Sequence, residues 1–195
     1  MRRLNECDPK FKDQVMAEPG GENLIRCYAC GTCMATCLIR RSDPEYNPRR
    51  IMHKAILGLR QDVLSSRQIW MCSACDDCYA HCPQNIHISE LFKVFRTIAQ
   101  HEGFKPTGPT ARVNERTCVA CGLCVEVCPY QAVELVQKRV LGQNKTVSQV
   151  NAALCMSCGL CAASCRSASI DLTDHTDETL LERLQAEPQP EEVAV

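Results

Sequence analysis

Apolar residues recur at helical spacing in two stretches of the first half of the chain. Ile51, Met52, Ala55, Ile56, Leu59 and Val63 follow the turn formers Pro44 and Pro48, and this spacing predicts one helix over about 49–64. Ile88, Leu91, Phe92, Phe95, Ile98 and Ala99 form a second stripe, with Ser89 or Asn85 as candidate cap and Gly103 as stop. A shorter amphipathic piece carries Phe11 and Val15 and is broken by Pro19-Gly20-Gly21. The pattern changes after Phe104-Lys105-Pro106-Thr107-Gly108-Pro109-Thr110, a stretch without periodicity that marks a domain boundary. Beyond it, Val113 leads a short extended approach and Ala132-Val133-Glu134-Leu135-Val136 favours β structure. Thr146-Val147-Ser148-Gln149-Val150 alternates, and Ile170-Asp171-Leu172 closes a pseudo-repeat. The fold class is therefore α+β, with an all-α module over 1–105 and a smaller α+β module over 111–172. In the acidic segment 173–195, Leu180, Leu181 and Leu184 mark a helical turn before Pro188 and Pro190, and this end is expected to be a flexible tail.

Composition changes the meaning of that pattern. The hydrophobic fraction is 45%, but it counts seventeen cysteines, and only one Trp and four Phe are present. Without the cysteines it falls to roughly 36%. Such a chain builds only small cores and needs staples of another kind.

The cysteines supply them. Cys-x-x-Cys-x-x-Cys-x-x-x-Cys occurs at Cys27/Cys30/Cys33/Cys37, Cys72/Cys75/Cys78/Cys82, Cys118/Cys121/Cys124/Cys128 and Cys155/Cys158/Cys161/Cys165, leaving only Cys7. Zinc ribbons need two separated Cys-x-x-Cys pairs and have no use for the third cysteine of each run. A disulfide framework suits a secreted chain, yet Met1-Arg2-Arg3 is followed by polar Asn5, Glu6 and Asp8 rather than a signal-peptide core. The spacing instead fits three irons of one [4Fe–4S] cluster, with the fourth cysteine ligating the other cluster of a two-cluster ferredoxin arrangement. Pairing the runs in order gives four expected ligand sets: Cys27, Cys30, Cys33 and Cys82; Cys37, Cys72, Cys75 and Cys78; Cys118, Cys121, Cys124 and Cys165; Cys128, Cys155, Cys158 and Cys161. The second module then reads as bacterial-ferredoxin-like, its loops carrying the near-duplicates Cys121-Gly122-Leu123-Cys124 and Cys158-Gly159-Leu160-Cys161. Folding of both modules is expected to require the clusters.

Four clusters also change the charge. The formal net charge is −1 with neutral thiols; four oxidised cysteine-bound clusters bring it to about −9. Residues 1–105 hold 15 basic and 12 acidic side chains, and 106–195 hold 7 and 11. With two clusters each, the halves carry about −1 and −8, which disfavours nucleic acid and gives protein partners two different faces. No apolar run reaches the length of a membrane span, so a soluble protein of a reducing, cytoplasmic compartment is expected.

The intervening residues narrow the assignment. Cys27-Tyr28-Ala29-Cys30-Gly31-Thr32-Cys33, Arg49-Arg50-Ile51-Met52, Ile69-Trp70-Met71-Cys72-Ser73-Ala74-Cys75-Asp76-Asp77-Cys78 and Cys82-Pro83 together resemble the iron–sulfur C subunit of heterodisulfide reductases over about the first 105 residues. The second half resembles the two-cluster ferredoxin domain of the flavin-bearing A subunit of those enzymes. The resemblance implies an electron-transfer subunit that works between an A-like, flavin-bearing partner and a B-like, catalytic and cysteine-rich one. Iron–sulfur subunits of glycerol-3-phosphate or glycolate dehydrogenases and fumarate reductases share the cysteine spacing. A stand-alone polyferredoxin, or an iron–sulfur sensor or structural protein, also remains open. Two departures from the usual pattern stand out: Leu38 follows Cys37 and Arg166 follows Cys165, where proline is usual. The domain beyond residue 105 departs further, since the simplest C subunits of this family end with the helical module.

No Rossmann fingerprint, phosphate loop or nucleophile–base spacing points to bond chemistry, and cysteine fills every expected ligand position. The chain reads as a non-catalytic electron carrier. His53, His81, His87 and His101 read as packing or hydrogen-bonding residues, and Trp70 as a shield beside Cys72. Arg40, Arg41, Arg49 and Arg50 form a basic concentration that suits either a solvated face or an acidic partner.

Overall fold

A computed structural model describes residues 7–173 and 175–186. The chain divides into two compact units, Met1–Gly108 with Ala152–Met156, and Pro109–Asn151 with Ser157–Val195. The described part of the first unit contains helices and turns without strands: α1 (Phe11–Ala17), a 3₁₀ turn (Leu24–Arg26), α2 (Thr32–Ala35), α3 (Leu38–Ser42), α4 (Pro48–Ile56), α5 (Arg60–Leu64), α6 (Gln68–Met71), α7 (Asp77–Ala80) and α8 (Ile88–His101). The second contains β1 (Ala111–Val113), α9 (Leu123–Glu126), β2 (Val133–Val140), β3 (Gln143–Val150), α10 (Leu160–Ala163), β4 (Ile170–Leu172) and α11 (Asp177–Gln185).

The first unit is built on α8. Leu91, Phe92, Phe95, Ile98 and Ala99, all buried, turn the predicted stripe toward α1, α5, α6 and α7. Phe95 meets Phe11 of α1 at 6.5 Å between ring centroids, and Phe92 meets Phe95 and Tyr46 at 5.8 and 6.4 Å. Gly103 ends α8 in the left-handed conformation, and the Phe104 N–H reaches back to the Ala99 carbonyl at 2.9 Å. The start differs from expectation. Neither Ser89 nor Asn85 caps the helix: His87 holds the cap position without a side-chain bond, and the Ser89 hydroxyl is spent on the Asp76 carboxylate.

The single helix expected over 49–64 is two helices. Asn47 caps the first, its side chain accepting the Arg50 N–H at 3.0 Å, and Pro48 occupies the first turn. Helicity breaks at Gly58, whose φ of +72° sends the chain round while its carbonyl accepts the Asp8 N–H at 2.7 Å. Arg60, just past the break, lies 5.1 Å over the Phe11 ring and donates to Asp8, Gln14 and Glu102. One arginine thereby ties three segments together.

In the second unit, β1 and β4 pair antiparallel from Ala111↔Leu172 to Val113↔Ile170, and β2 and β3 from Val133↔Val150 to Val140↔Gln143. The long hairpin turns through Leu141 and Gly142, both at positive φ. Its inner end carries buried Val133, Val147 and Ser148, and its outer end is largely exposed. Asp177–Gln185 is helical, with Thr176 accepting the Thr179 N–H at 3.3 Å, so the expected tail is ordered that far. The remainder of that tail, 187–195, lies outside the described residues, as do Arg2, Arg3, Asn5 and Glu6. Among the described residues no helix is long and apolar enough to cross a membrane.

A β-carbon at position 58 would lie 2.3 Å from the Asp8 carbonyl oxygen, in a conformation that already disfavours any L side chain. Gly58→Ala is expected to destabilise the first unit by about 1–3 kcal/mol. A thermal midpoint equal to that of the parent protein would show that the break does not depend on glycine.

Candidate metal centres

Each cysteine run folds into the same loop. The residue before the second cysteine has positive φ in all four: Ala29 at 60°, Ala74 at 51°, Ala120 at 53° and Ser157 at 54°. So does the residue after it: Gly31 at 92°, Asp76 at 60°, Gly122 at 80° and Gly159 at 76°, each capping a four-residue helix that carries the third cysteine. Two left-handed residues around the second cysteine curl the chain so that the cysteines face one hollow. Asp76 is the exception in type. Its left-handed backbone is held by bonds of its own carboxylate, with the Ser89 hydroxyl on one oxygen and His87 Nε2 3.4 Å from the other.

Three hollows are lined by four expected ligands apiece. Cys27, Cys30, Cys33 and Cys82 surround one, Cys37, Cys72, Cys75 and Cys78 a second, and Cys118, Cys121, Cys124 and Cys165 a third. They hold about 330, 370 and 310 Å³ of empty space including their mouths, similar enough to suit the same guest. Cys33 and Ile88 line both hollows of the first unit, which are therefore neighbours. Among the described residues no three His, Cys, Asp or Glu side chains converge closely enough for a single ion. Four cysteines to a hollow match a cuboidal cluster, in which each cysteine meets its own iron. Of the fourth expected set, the run Cys155, Cys158 and Cys161 has the common loop conformation, and Cys128 closes its own run.

The thiols act on one another across the expected pairing. Burial, and then Cys27, Cys30 and Cys82, push the Cys33 thiol up to about 11. Burial, and then Cys72, Cys33, Cys75 and Cys37, push Cys78 up to about 12. Cys82 thus presses on the first loop and Cys37 on the second. Polar side chains that no motif announces offset this crowding. Thr32 Oγ1 is 3.4 Å from Cys30 Sγ, and its hydroxyl and N–H hold that thiol below its ordinary value. Ser148 Oγ is 3.1 Å from Cys124 Sγ. Burial pushes Cys118 up, yet the Ser148 and Ala120 N–H groups and the Ser148 hydroxyl together pull it lower. Burial likewise opposes a lowered Cys165, which Ser167 and Ser169 bring about.

The fourth cysteines divide into two kinds. The N–H four residues on donates to the sulfur of Cys82 at 3.4 Å, of Cys128 at 3.3 Å and of Cys165 at 3.2 Å, through turns with positive φ at Asn85, Gln131 and Ala168. Arg166 therefore replaces proline without changing the turn. Leu38 does change it: the chain after Cys37 runs directly into α3, and no N–H bond to Cys37 sulfur forms among the described residues. Of the other residues singled out in the sequence, Trp70 packs against the core, and the aromatic lining the Cys72 hollow is Tyr46. His81 Nδ1 bonds the Asp77 carbonyl at 2.9 Å. Arg49 lines the Cys30 hollow, and Arg40 donates to the Pro44 and Tyr46 carbonyls, so the basic residues are not one solvated face.

Residues 23–86 match a 4Fe-4S dicluster domain family, and 71–132 and 117–169 match a second family of the same description. The chain belongs to the 4Fe-4S dicluster family. Two dicluster domains imply four [4Fe–4S] clusters, in agreement with four runs of cysteine. The dicluster chain is also similar to the C subunits of heterodisulfide reductases. It is 35% identical over 102 residues to the C subunit of the H(2):CoB-CoM heterodisulfide,ferredoxin reductase of Methanothermobacter thermautotrophicus, covering 52% of this chain and 54% of that protein. It is 38% identical over 109 residues to the iron-sulfur C 2 subunit of the CoB–CoM heterodisulfide reductase of Methanocaldococcus jannaschii, covering 52% and 57%. Against the C subunit of the Ferredoxin:CoB-CoM heterodisulfide reductase of Methanosarcina mazei it is 32% identical over 105 residues, covering 54% and 63%. The match thus spans little more than half of these relatives.

Four clusters of this type require about sixteen irons and sixteen acid-labile sulfides per chain after anaerobic reconstitution. A reproducible eight of each in a folded protein is the result that overturns this count.

Proposed function

We propose that the chain is an electron-transfer subunit of a heterodisulfide reductase-like complex, relaying electrons through four [4Fe–4S] clusters between a flavin-bearing subunit and a catalytic iron–sulfur subunit. The observation that carries this reading is the pair of adjoining hollows in the first unit, each lined by its four expected cysteines, with Cys33 and Ile88 lining both. Ligands are assigned as the crossed sets: Cys27, Cys30, Cys33, Cys82; Cys37, Cys72, Cys75, Cys78; Cys118, Cys121, Cys124, Cys165; and Cys128, Cys155, Cys158, Cys161. A bound cluster supplies a one-electron couple. The residues around it hold it in place and tune it. Cysteine fills every assigned position, which leaves no open coordination site for a substrate and suits electron passage without bond chemistry. Met52, Ile86 and Ile88 line the first hollow, and Ile39, Tyr46 and Ile88 the second, giving each an apolar wall, while Cys30 and Cys75 are exposed.

The complex itself is proposed by analogy with the named relatives, as is the likeness of the second unit to the ferredoxin domain of a flavin-bearing partner. Affinity isolation of the tagged chain from its native cells is expected to bring down a flavoprotein and a cysteine-rich subunit. Recovery of the chain alone, with four reducible clusters, favours a free polyferredoxin instead. Ligand crossing has its own test. Cys82→Ser is expected to alter the EPR signal of the cluster on Cys27, Cys30 and Cys33; damage confined to the cluster on Cys72, Cys75 and Cys78 overturns the pairing.

A further inference from the structure

Arg96 projects from the middle of α8 and is 1% exposed, the largest fully buried side chain among the described residues. Its guanidinium donates from Nε to the Ile69 carbonyl at 2.6 Å, from Nη2 to the Cys72 carbonyl at 2.8 Å and from Nη1 to Met156 Sδ at 3.0 Å. None of these acceptors carries a formal charge. No carboxylate forms an ion pair with Arg96 among the described residues. A guanidinium stays protonated in proteins, so this is a buried cation that needs an anion near it. Burial is the main influence on the group, opposed by the attraction of Cys72, Tyr46 and Cys155.

Tyr46 lines the Cys72 hollow. It is 2% exposed and packs against the Phe92 ring, one helical turn before Arg96, with its hydroxyl close enough to act on Cys72.

We propose that Arg96 is the built-in counter-charge of the cluster on Cys37, Cys72, Cys75 and Cys78 and, together with the Tyr46 hydroxyl, holds its reduction potential up. The inference rests on the ligand assignment made above. Reduction adds one negative charge to a centre that is already anionic. A fixed cation beside Cys72 and a hydroxyl lining the same hollow both stabilise the reduced form more than the oxidised one. Arg96 acts through the field and touches no iron; it is a positioning and potential-setting residue. Its bonds to Ile69 and Cys72 also fix the end of α6 where that helix delivers Cys72, so the charge is held at one distance from the loop.

The test is EPR-monitored redox titration of the full chain, anaerobically loaded, with iron and sulfide measured on every sample. Tyr46→Phe should move one transition to lower potential, lowering the reduced-to-oxidised ratio at the parent midpoint about threefold. Arg96→Gln should move that same transition in the same direction, about tenfold by the same measure, whereas Arg96→Lys, which keeps the charge, should stay near the parent. A purely structural arginine leaves the transition in place in every loaded variant, or moves Lys and Gln alike; either result overturns the proposal. If Arg96→Gln does not load, Arg96→Met replaces it, and an unmoved transition in Tyr46→Phe still overturns it. A parent protein without four clusters defeats the ligand assignment instead, and the metal analysis separates the two failures.

Discussion

Sulfur crowding is the constraint from which the rest of the first unit follows. Burial makes it costly to ionise thiols that face one hollow, and their mutual repulsion adds to the cost, which is why Cys33 and Cys78 are pushed so far up. The arrangement is favourable once iron replaces the protons, so cluster binding and folding are linked in sign as well as in space. The surrounding helices are short, several of only four or five residues, and could not persist alone in water. They are fixed at both ends by the loops they carry and by the long α8 behind them.

The second unit meets the same constraint with different means. There the hydroxyl and N–H of Ser148 approach Cys118 and Cys124 from β3, and Ser167 and Ser169 approach Cys165 from the closing turn. In the first unit Thr32 stands beside Cys30, and the buried Arg96 donates to the Cys72 carbonyl. Hydrogen bonding and charge near the sulfurs are the protein's levers on potential. Repeated cysteine spacing therefore need not mean equal centres.

Much of this was legible in the sequence because cysteine spacing and apolar periodicity are local signals. The α8 stripe, all four strands and the grouping of cysteines from different runs around three hollows follow from them. What was missed depends on contacts distant in sequence. The split between α4 and α5 arises because the Gly58 carbonyl meets Asp8, fifty residues earlier, and periodicity runs on through such a break unchanged. Ser89 has the right chemistry for a cap, but Asp76 claims it. The hairpin extends to Val140 and Gln143 because Leu141 takes a left-handed turn position that glycine or asparagine would have announced. Trp70 was the conspicuous aromatic beside Cys72, yet Tyr46, from a preceding loop, lines the hollow. Arg96 lies beside Phe95 in the α8 stripe, and apolar spacing carries no sign that such a charged side chain is buried.

The shared wall of Cys33 and Ile88 has a consequence for assembly. Each residue contributes to two hollows, so a guest that orders one hollow has already immobilised part of the lining of the other. The entropy of fixing that wall is spent once for two occupants. With the assigned ligand sets, loading of the first unit is expected to be cooperative: half-filled chains should be scarce relative to empty and fully filled ones, and losing one centre to oxidation should loosen the seat of its neighbour.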